Sequence, residues 1–117
     1  MKVLFVINDA PYGTEKAYNA LRLAMALQKE HADTGVRVFL MADAVGCALP
    51  DQSTPQGYYN VERMLKSVIA NGGEVKLCGS CMDARGLGEL DLVKGAQRGS
   101  MAELASWSVD SEKVFTF

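Results

Sequence analysis

Lys2-Val3-Leu4-Phe5-Val6-Ile7 decides the fold. After its single lysine this run is continuously apolar and rich in branched side chains, the composition of a parallel strand covered on both faces. Asn8-Asp9-Ala10-Pro11-Tyr12-Gly13 follows with turn chemistry, and Thr14 stands where the N-cap of a helix is expected. Ala17, Ala20, Leu21, Ala24 and Leu27 share one face of that helix, with Asn19, Arg22 and Lys29 opposite. This pattern predicts a helix laid on a sheet and running to about Glu30. Beyond Asp33-Thr34-Gly35 the segment from Val36 to Met41 is again apolar and ends at Asp43, so a βαβ unit is complete there.

Working outward, Asp43 to Tyr59 contains Gly46, Pro50, Pro55 and Gly57 and reads as a long connecting loop, a candidate lid. Tyr58 and Tyr59 either cover a site or anchor this loop. Asn60 caps a second helix with Val61, Met64, Leu65 and Val68 as its stripe, and Asn71-Gly72-Gly73 ends it. A third strand runs from Glu74 to Leu77. From Cys78 to Gly99, five glycines break the pattern; a short helix after Arg85 and a short strand near Leu92 to Ala96 are expected. Ser100 and Glu103 have capping-box spacing for a last helix, with Met101, Leu104 and Ala105 facing inward. Val114 to Phe117 closes the chain as a strand, either buried or part of a subunit contact. Strands alternating with helices imply a three-layer α/β/α sandwich, doubly wound as in flavodoxin-like folds, around a parallel sheet of about five strands.

The 117 residues fit one domain, residues 1–117, within the usual range of ~100–150. A composition 49% apolar and 22% charged is that of a globular protein. A net charge of −2 gives no field to hold a phosphate backbone, so nucleic acid is not an expected partner. The opening apolar run is shorter than the ~7–15 residues of a secretory signal. No stretch approaches the ~18–20 apolar residues of a membrane span. No membrane partner is expected, the expected location is cytoplasmic, and the three cysteines are expected to stay reduced.

In doubly wound sheets, ligands bind beyond the carboxyl ends of the strands. That rule gathers Asp9 after the first strand, Asp43 and Cys47 after the second, and Cys78 and Cys81 after the third. Cys78-Gly79-Ser80-Cys81 is a Cys-x-x-Cys spacing, in which the first thiol is stabilised as thiolate by nearby N–H groups or a cation. Arg85 is the candidate cation. The bland reading of Cys78 is a buried strand end, since free cysteine is among the most buried residue types. Dithiol redox chemistry at Cys78 and Cys81 is an alternative, although Asp83 and Gly86 argue against the long helix that usually follows such a pair. Zinc held by Cys47, Cys78 and Cys81 with Asp9 or Asp43 is disfavoured because only one cysteine knuckle exists, so no metal is expected.

His31, the only histidine, falls at the far side of the sheet and offers no base for a Cys–His nucleophile. Gly86-Leu87-Gly88 lacks the lysine and context of a phosphate loop. Asp9 and Asp43 are explained equally well as loop caps and are not assigned as catalytic.

The opening strand with Asn8-Asp9-Ala10-Pro11-Tyr12-Gly13, the segment Phe39-Leu40-Met41-Ala42-Asp43-Ala44-Val45, and Val75-Lys76-Leu77-Cys78 with Arg85-Gly86 beyond resemble the DsrE/DsrF family, and within it the YchN-like subgroup. The likeness extends over essentially the whole chain, including Ala105-Ser106-Trp107 and Lys113-Val114-Phe115-Thr116-Phe117. It implies strand order 4-3-2-1-5 and a homo-oligomer such as a trimer or hexamer. Relay members of the family carry sulfur as a cysteine persulfide in tRNA thiolation or sulfur oxidation. Their carrier cysteine precedes an Arg-Gly pair, a placement Cys78 matches with Arg85-Gly86. The implied function is sulfur relay between donor and acceptor proteins, without a cofactor. The alternative is a non-enzymatic module that binds a small ligand or a partner. Cys81 and Cys47 have no clear counterpart among the relay carriers, and Cys81 is placed to resolve a persulfide into a disulfide.

Overall fold

The computed structural model describes all 117 residues. Its centre is a parallel sheet of five strands: β1 (Lys2–Ile7), β2 (Gly35–Leu40), β3 (Glu74–Cys78), β4 (Ala96–Gly99) and β5 (Lys113–Thr116). They lie in the order β4-β3-β2-β1-β5, as the resemblance implied. Four α-helices, α1 (Lys16–Glu30), α2 (Val61–Ala70), α3 (Gly79–Ala84) and α4 (Met101–Asp110), and one 3-10 helix (Ala42–Ala48) make the connections.

Successive side chains of a strand point to opposite faces, and here the two faces have different cover. Val3, Phe5, Ile7, Val36, Val38, Leu40, Val75 and Leu77 enter a cluster of 20 buried residues shared with α1, α2 and the 3-10 helix. Ala17, Ala20 and Ala24 are the α1 side chains fully buried there, together with Leu21. Their small size lets the helix lie close to the sheet. The alternate residues Leu4, Phe39 and Cys78 form a cluster of four with Trp107 of α4, against which the half-buried Leu104 of the same helix packs. The Trp107 indole stands edge-on to the Phe39 ring at 6.1 Å, and Lys76 and Arg37 lie over it at 5.0 and 5.3 Å.

Helix α2 starts as expected, with Asn60 Oδ1 accepting from the Arg63 N–H at 3.0 Å. It ends where only glycine fits, since a Cβ on Gly73 would meet Val68 Cγ1 at 2.5 Å and Val68 O at 2.6 Å. Helix α1 differs from expectation. Its N-cap is Glu15, without a side-chain bond; one residue earlier the Thr14 hydroxyl donates to Asp9 Oδ2 at 2.9 Å and accepts from the Lys16 N–H at 3.4 Å.

The segment after β2 is not a lid. Its first half is the 3-10 helix, and Gln52 pins the remainder. The Gln52 amide donates to Cys47 O and Leu49 O, its Oε1 accepts from Tyr12 at 2.7 Å, and its backbone N–H donates to Glu62 Oε1 at 2.8 Å. Tyr59 stacks on Tyr18 and Tyr58, at 4.2 and 4.4 Å, and so acts as an anchor.

Two further expectations shift. The short helix precedes Arg85 instead of following it, and β4 begins at Ala96, where the expected strand ended. Leu92-Val93 misleads because apolar character reports burial as well as strand. Val93 is buried in a loop, its N–H donating to Ala48 O at 2.8 Å. In α4 the Ser100 cap forms and Leu104 packs inward as expected, beside Trp107, while Met101 is 64% exposed and Ala105 also faces out. Strand β5 is an edge strand with every residue exposed, Val114 and Phe115 among them.

Candidate functional site

Cys78 is the last residue of β3 and the N-cap of α3, because the chain turns into helix within one residue of the strand end. The pleat sends its side chain to the thinly covered face, where it is 8% exposed. Its sulfur accepts the Cys81 N–H at 3.2 Å and lies 3.3 Å from Ser80 Oγ. Burial pushes the Cys78 thiol up. The polar groups of Cys81 and Ser80 around the sulfur, side chain and backbone, outweigh burial, so the net direction is down. Cys81 is pushed the opposite way, by burial and by giving its S–H to Cys78. The pair is therefore asymmetric, with the more acidic thiol at the strand end.

Cys78 opens into a cavity of about 330 Å³ at the carboxyl ends of β2, β3 and β4. Phe39 and Met41 form its apolar side; Ser80, Ser100 and Arg98 form its polar side. The Arg98 guanidinium donates from Nη1 and Nη2 to the two Asp83 oxygens at 2.9 and 2.7 Å, a fork that fixes its plane. It lies across Gly79, where a Cβ would stand 2.8 Å from Arg98 Nε. Glycine at position 79 is thus what lets an arginine from β4 reach α3. The fork to Asp83 raises the affinity of Arg98 for its proton, and Cys78 adds to the same effect.

Arg85, expected beside Cys78, is held elsewhere. Its Nε donates to Asp43 Oδ1 at 2.8 Å and its Nη1 to Cys81 O at 3.1 Å. Arg85 and Asp43 therefore clamp the end of α3 onto the segment after β2, and neither lines the cavity. Asp9 is occupied with Thr14 and Lys16. Cys47 is fully buried in the larger cluster, where desolvation pushes its thiol up to about 12, and it does not reach the rim. No group of three or more His, Cys, Asp or Glu side chains is arranged to hold a metal ion. No helix is long and apolar enough to cross a membrane.

A sheet of this order, with a cysteine ending its third strand, narrows the comparison with known proteins, and the sequence pattern of the DsrE/DsrF-like family matches residues 1–117. The chain belongs to the DsrE/DsrF-like family. Among its relatives, Protein YchN of Escherichia coli is 43% identical over 116 residues, 99% of this chain and 98% of the relative. The uncharacterized protein MJ0989 of Methanocaldococcus jannaschii is 40% identical over the full length of both. The crystal structure of ychN from E. coli superposes with a TM-score of 0.95 at 43% identity, covering 99% and 98% of the two chains. MTH1491 of Methanobacterium thermoautotrophicum shares the fold alone, at 16% identity and a TM-score of 0.73, with the same coverage.

Within this DsrE/DsrF-like chain the sequence reading missed Arg98, Asp83 and Ser80. Ser80 was in plain view between the cysteines. Arg98 was not, because its partner is 15 residues away in the chain and the strand that delivers it carries no apolar pattern.

Proposed function

We propose that this protein is a sulfur-relay carrier that takes sulfane sulfur onto Cys78 as a persulfide and hands it to a partner. The observation that supports it is a thiol of lowered pKa, ringed by hydrogen-bond donors, at the mouth of a cavity with one arginine. Family membership points to sulfur relay as well.

The Cys78 thiolate attacks the outer sulfur of a donor persulfide. A new S–S bond forms, the donor's S–S bond breaks, and the donor leaves as a thiolate. The acceptor's nucleophile then attacks the outer sulfur on Cys78, and the Cys78 thiolate departs. The N–H of Cys81 and the hydroxyl of Ser80 stabilise the thiolate whenever it is attacker or leaving group, and Arg98 offers positive charge to the outer sulfur. Donor and acceptor are proteins in this reading, the chain works in the cytoplasm as a homo-oligomer such as a trimer or hexamer, and no cofactor takes part.

Intact-protein mass spectrometry after exposure to glutathione persulfide tests the proposal, in a Cys81→Ser chain that keeps what it receives. A gain of one sulfur atom, lost when Cys78→Ser is added and kept when Cys47→Ser is added, is the expected outcome. Sulfur retained by the chain lacking Cys78 overturns it.

A further inference from the structure

Sulfur carriage uses the Cys78 thiol and the backbone N–H of Cys81 and leaves the Cys81 thiol without a task, although the fold packs it against the cluster that holds Cys78. Cys81 meets Cys78 in two ways: its backbone N–H donates to the Cys78 sulfur at 3.2 Å, and its side chain packs against the small cluster that holds Cys78. On its other side the backbone N–H of Ala42 works against the rise in the Cys81 thiol's pKa. Ala42 holds a left-handed backbone, φ 50°, a conformation that costs a non-glycine residue on the order of 1 kcal/mol. The Arg85 bond to Cys81 O fixes the turn from behind. Cys81 does not line the cavity, whereas Cys78 does. A persulfide on Cys78 would therefore extend its outer sulfur into the cavity and keep its inner sulfur against Cys81.

We propose that Cys81 resolves the Cys78 persulfide and releases its outer sulfur as hydrogen sulfide when no acceptor takes it. The reading rests on carriage by Cys78. The Cys81 thiolate attacks the inner sulfur, and a Cys78–Cys81 disulfide forms. The S–S bond of the persulfide breaks with its electron pair on the outer sulfur, which leaves as hydrosulfide and takes up a proton equivalent to the one Cys81 gave up. The outer sulfur gains two electrons and the two cysteine sulfurs together lose two. A dithiol, or two monothiols in sequence, then resets the pair by exchange.

Geometry sets the outcome, since attack on the inner sulfur frees sulfide while attack on the outer one merely moves it. Only the inner sulfur is the atom Cys81 touches. The high pKa of Cys81 keeps this exit slow at neutral pH, leaving time for a docked acceptor to compete. Cys47, sealed in the opposite cluster, takes no part.

The test loads wild type, Cys81→Ser and Cys81→Ala with glutathione persulfide, removes the donor by desalting, and follows intact mass and free sulfide. In wild type the form heavier by one sulfur gives way to one lighter by two hydrogens, with one sulfide released per persulfide lost. In both variants the persulfide lasts at least about tenfold longer and the lighter form never appears. Equal persulfide lifetimes in all three proteins, without the lighter form in wild type, overturn the inference and leave carriage standing. Failure of both Cys81 variants to take up sulfur overturns carriage and this inference together.

Discussion

The two faces of the sheet are built from alternate residues of the same strands and do opposite work. On β3, Val75 and Leu77 enter the large cluster under α1 and α2, while Lys76 and Cys78 face the side that α4 only partly covers. One face is dense and uniformly apolar. The other mixes a tryptophan, two cations and a thiol, and leaves a cavity at its carboxyl end. Stability and chemistry are thus separated by the pleat, one residue apart, in a strand of five.

The largest expected effect asks whether that separation holds. Leu65→Ala, on the dense face, should destabilise the protein by about 2–5 kcal/mol in denaturant titration while leaving sulfur uptake by the folded chain intact. Cys78→Ser should abolish uptake at a cost of about 1 kcal/mol or less, because it replaces a small side chain already among hydrogen-bond donors. Comparable stability losses in the two variants would break the comparison.

Gly79→Ala addresses the join between the faces. Its methyl group collides with the Arg98 guanidinium, so β4 must shift or the fork to Asp83 must open, at about 1–3 kcal/mol. Alkylation of Cys78 at pH 7 should slow as its neighbouring cation moves away. An unchanged rate would mean that Arg98 does not act on the thiol.

At neutral pH the smallest effect is the contrast between two cysteines on opposite faces, which grows only as pH rises. Cys47 titrates near 9 when unfolded and near 12 when folded, so above pH 9 the unfolded chain binds fewer protons than the folded one. Stability should therefore fall as pH rises from 9 toward 12, by up to about 1.4 kcal/mol per unit, and Cys47→Ala should flatten that slope. Cys78 runs the other way: with its folded pKa lowered, it contributes stability above its unfolded pKa that is lost as pH falls through the folded value. Equal slopes in wild type and Cys47→Ala would count against a sealed Cys47.

Much of this architecture can be read from residues alone where periodicity is strong. The apolar run of β1, the alanine-rich stripe of α1 and the Asn60 cap of α2 all appear where their patterns predict. The reading fails where a segment's role depends on distant partners. Ala96–Gly99 has no apolar pattern, and becomes a strand only because β3 offers it a free edge. Cys47 looked like a rim residue because it follows a strand, yet the 3-10 helix turns it into the core. Arg85 is near Cys78 in sequence but is claimed by Asp43, whereas Arg98 arrives from another strand. The strand order came from resemblance, since periodicity does not encode it.

The lock of Arg98 across Gly79 onto Asp83 also has a meaning in time. Ribosomes extend chains at roughly 5–20 residues per second, so Arg98, about 20 residues beyond Cys78, follows it by about one to four seconds. In that interval a nascent chain has its thiol but neither the cation nor the cavity wall that β4 brings. A wall that only β4 can complete keeps a half-made protein from offering the finished site.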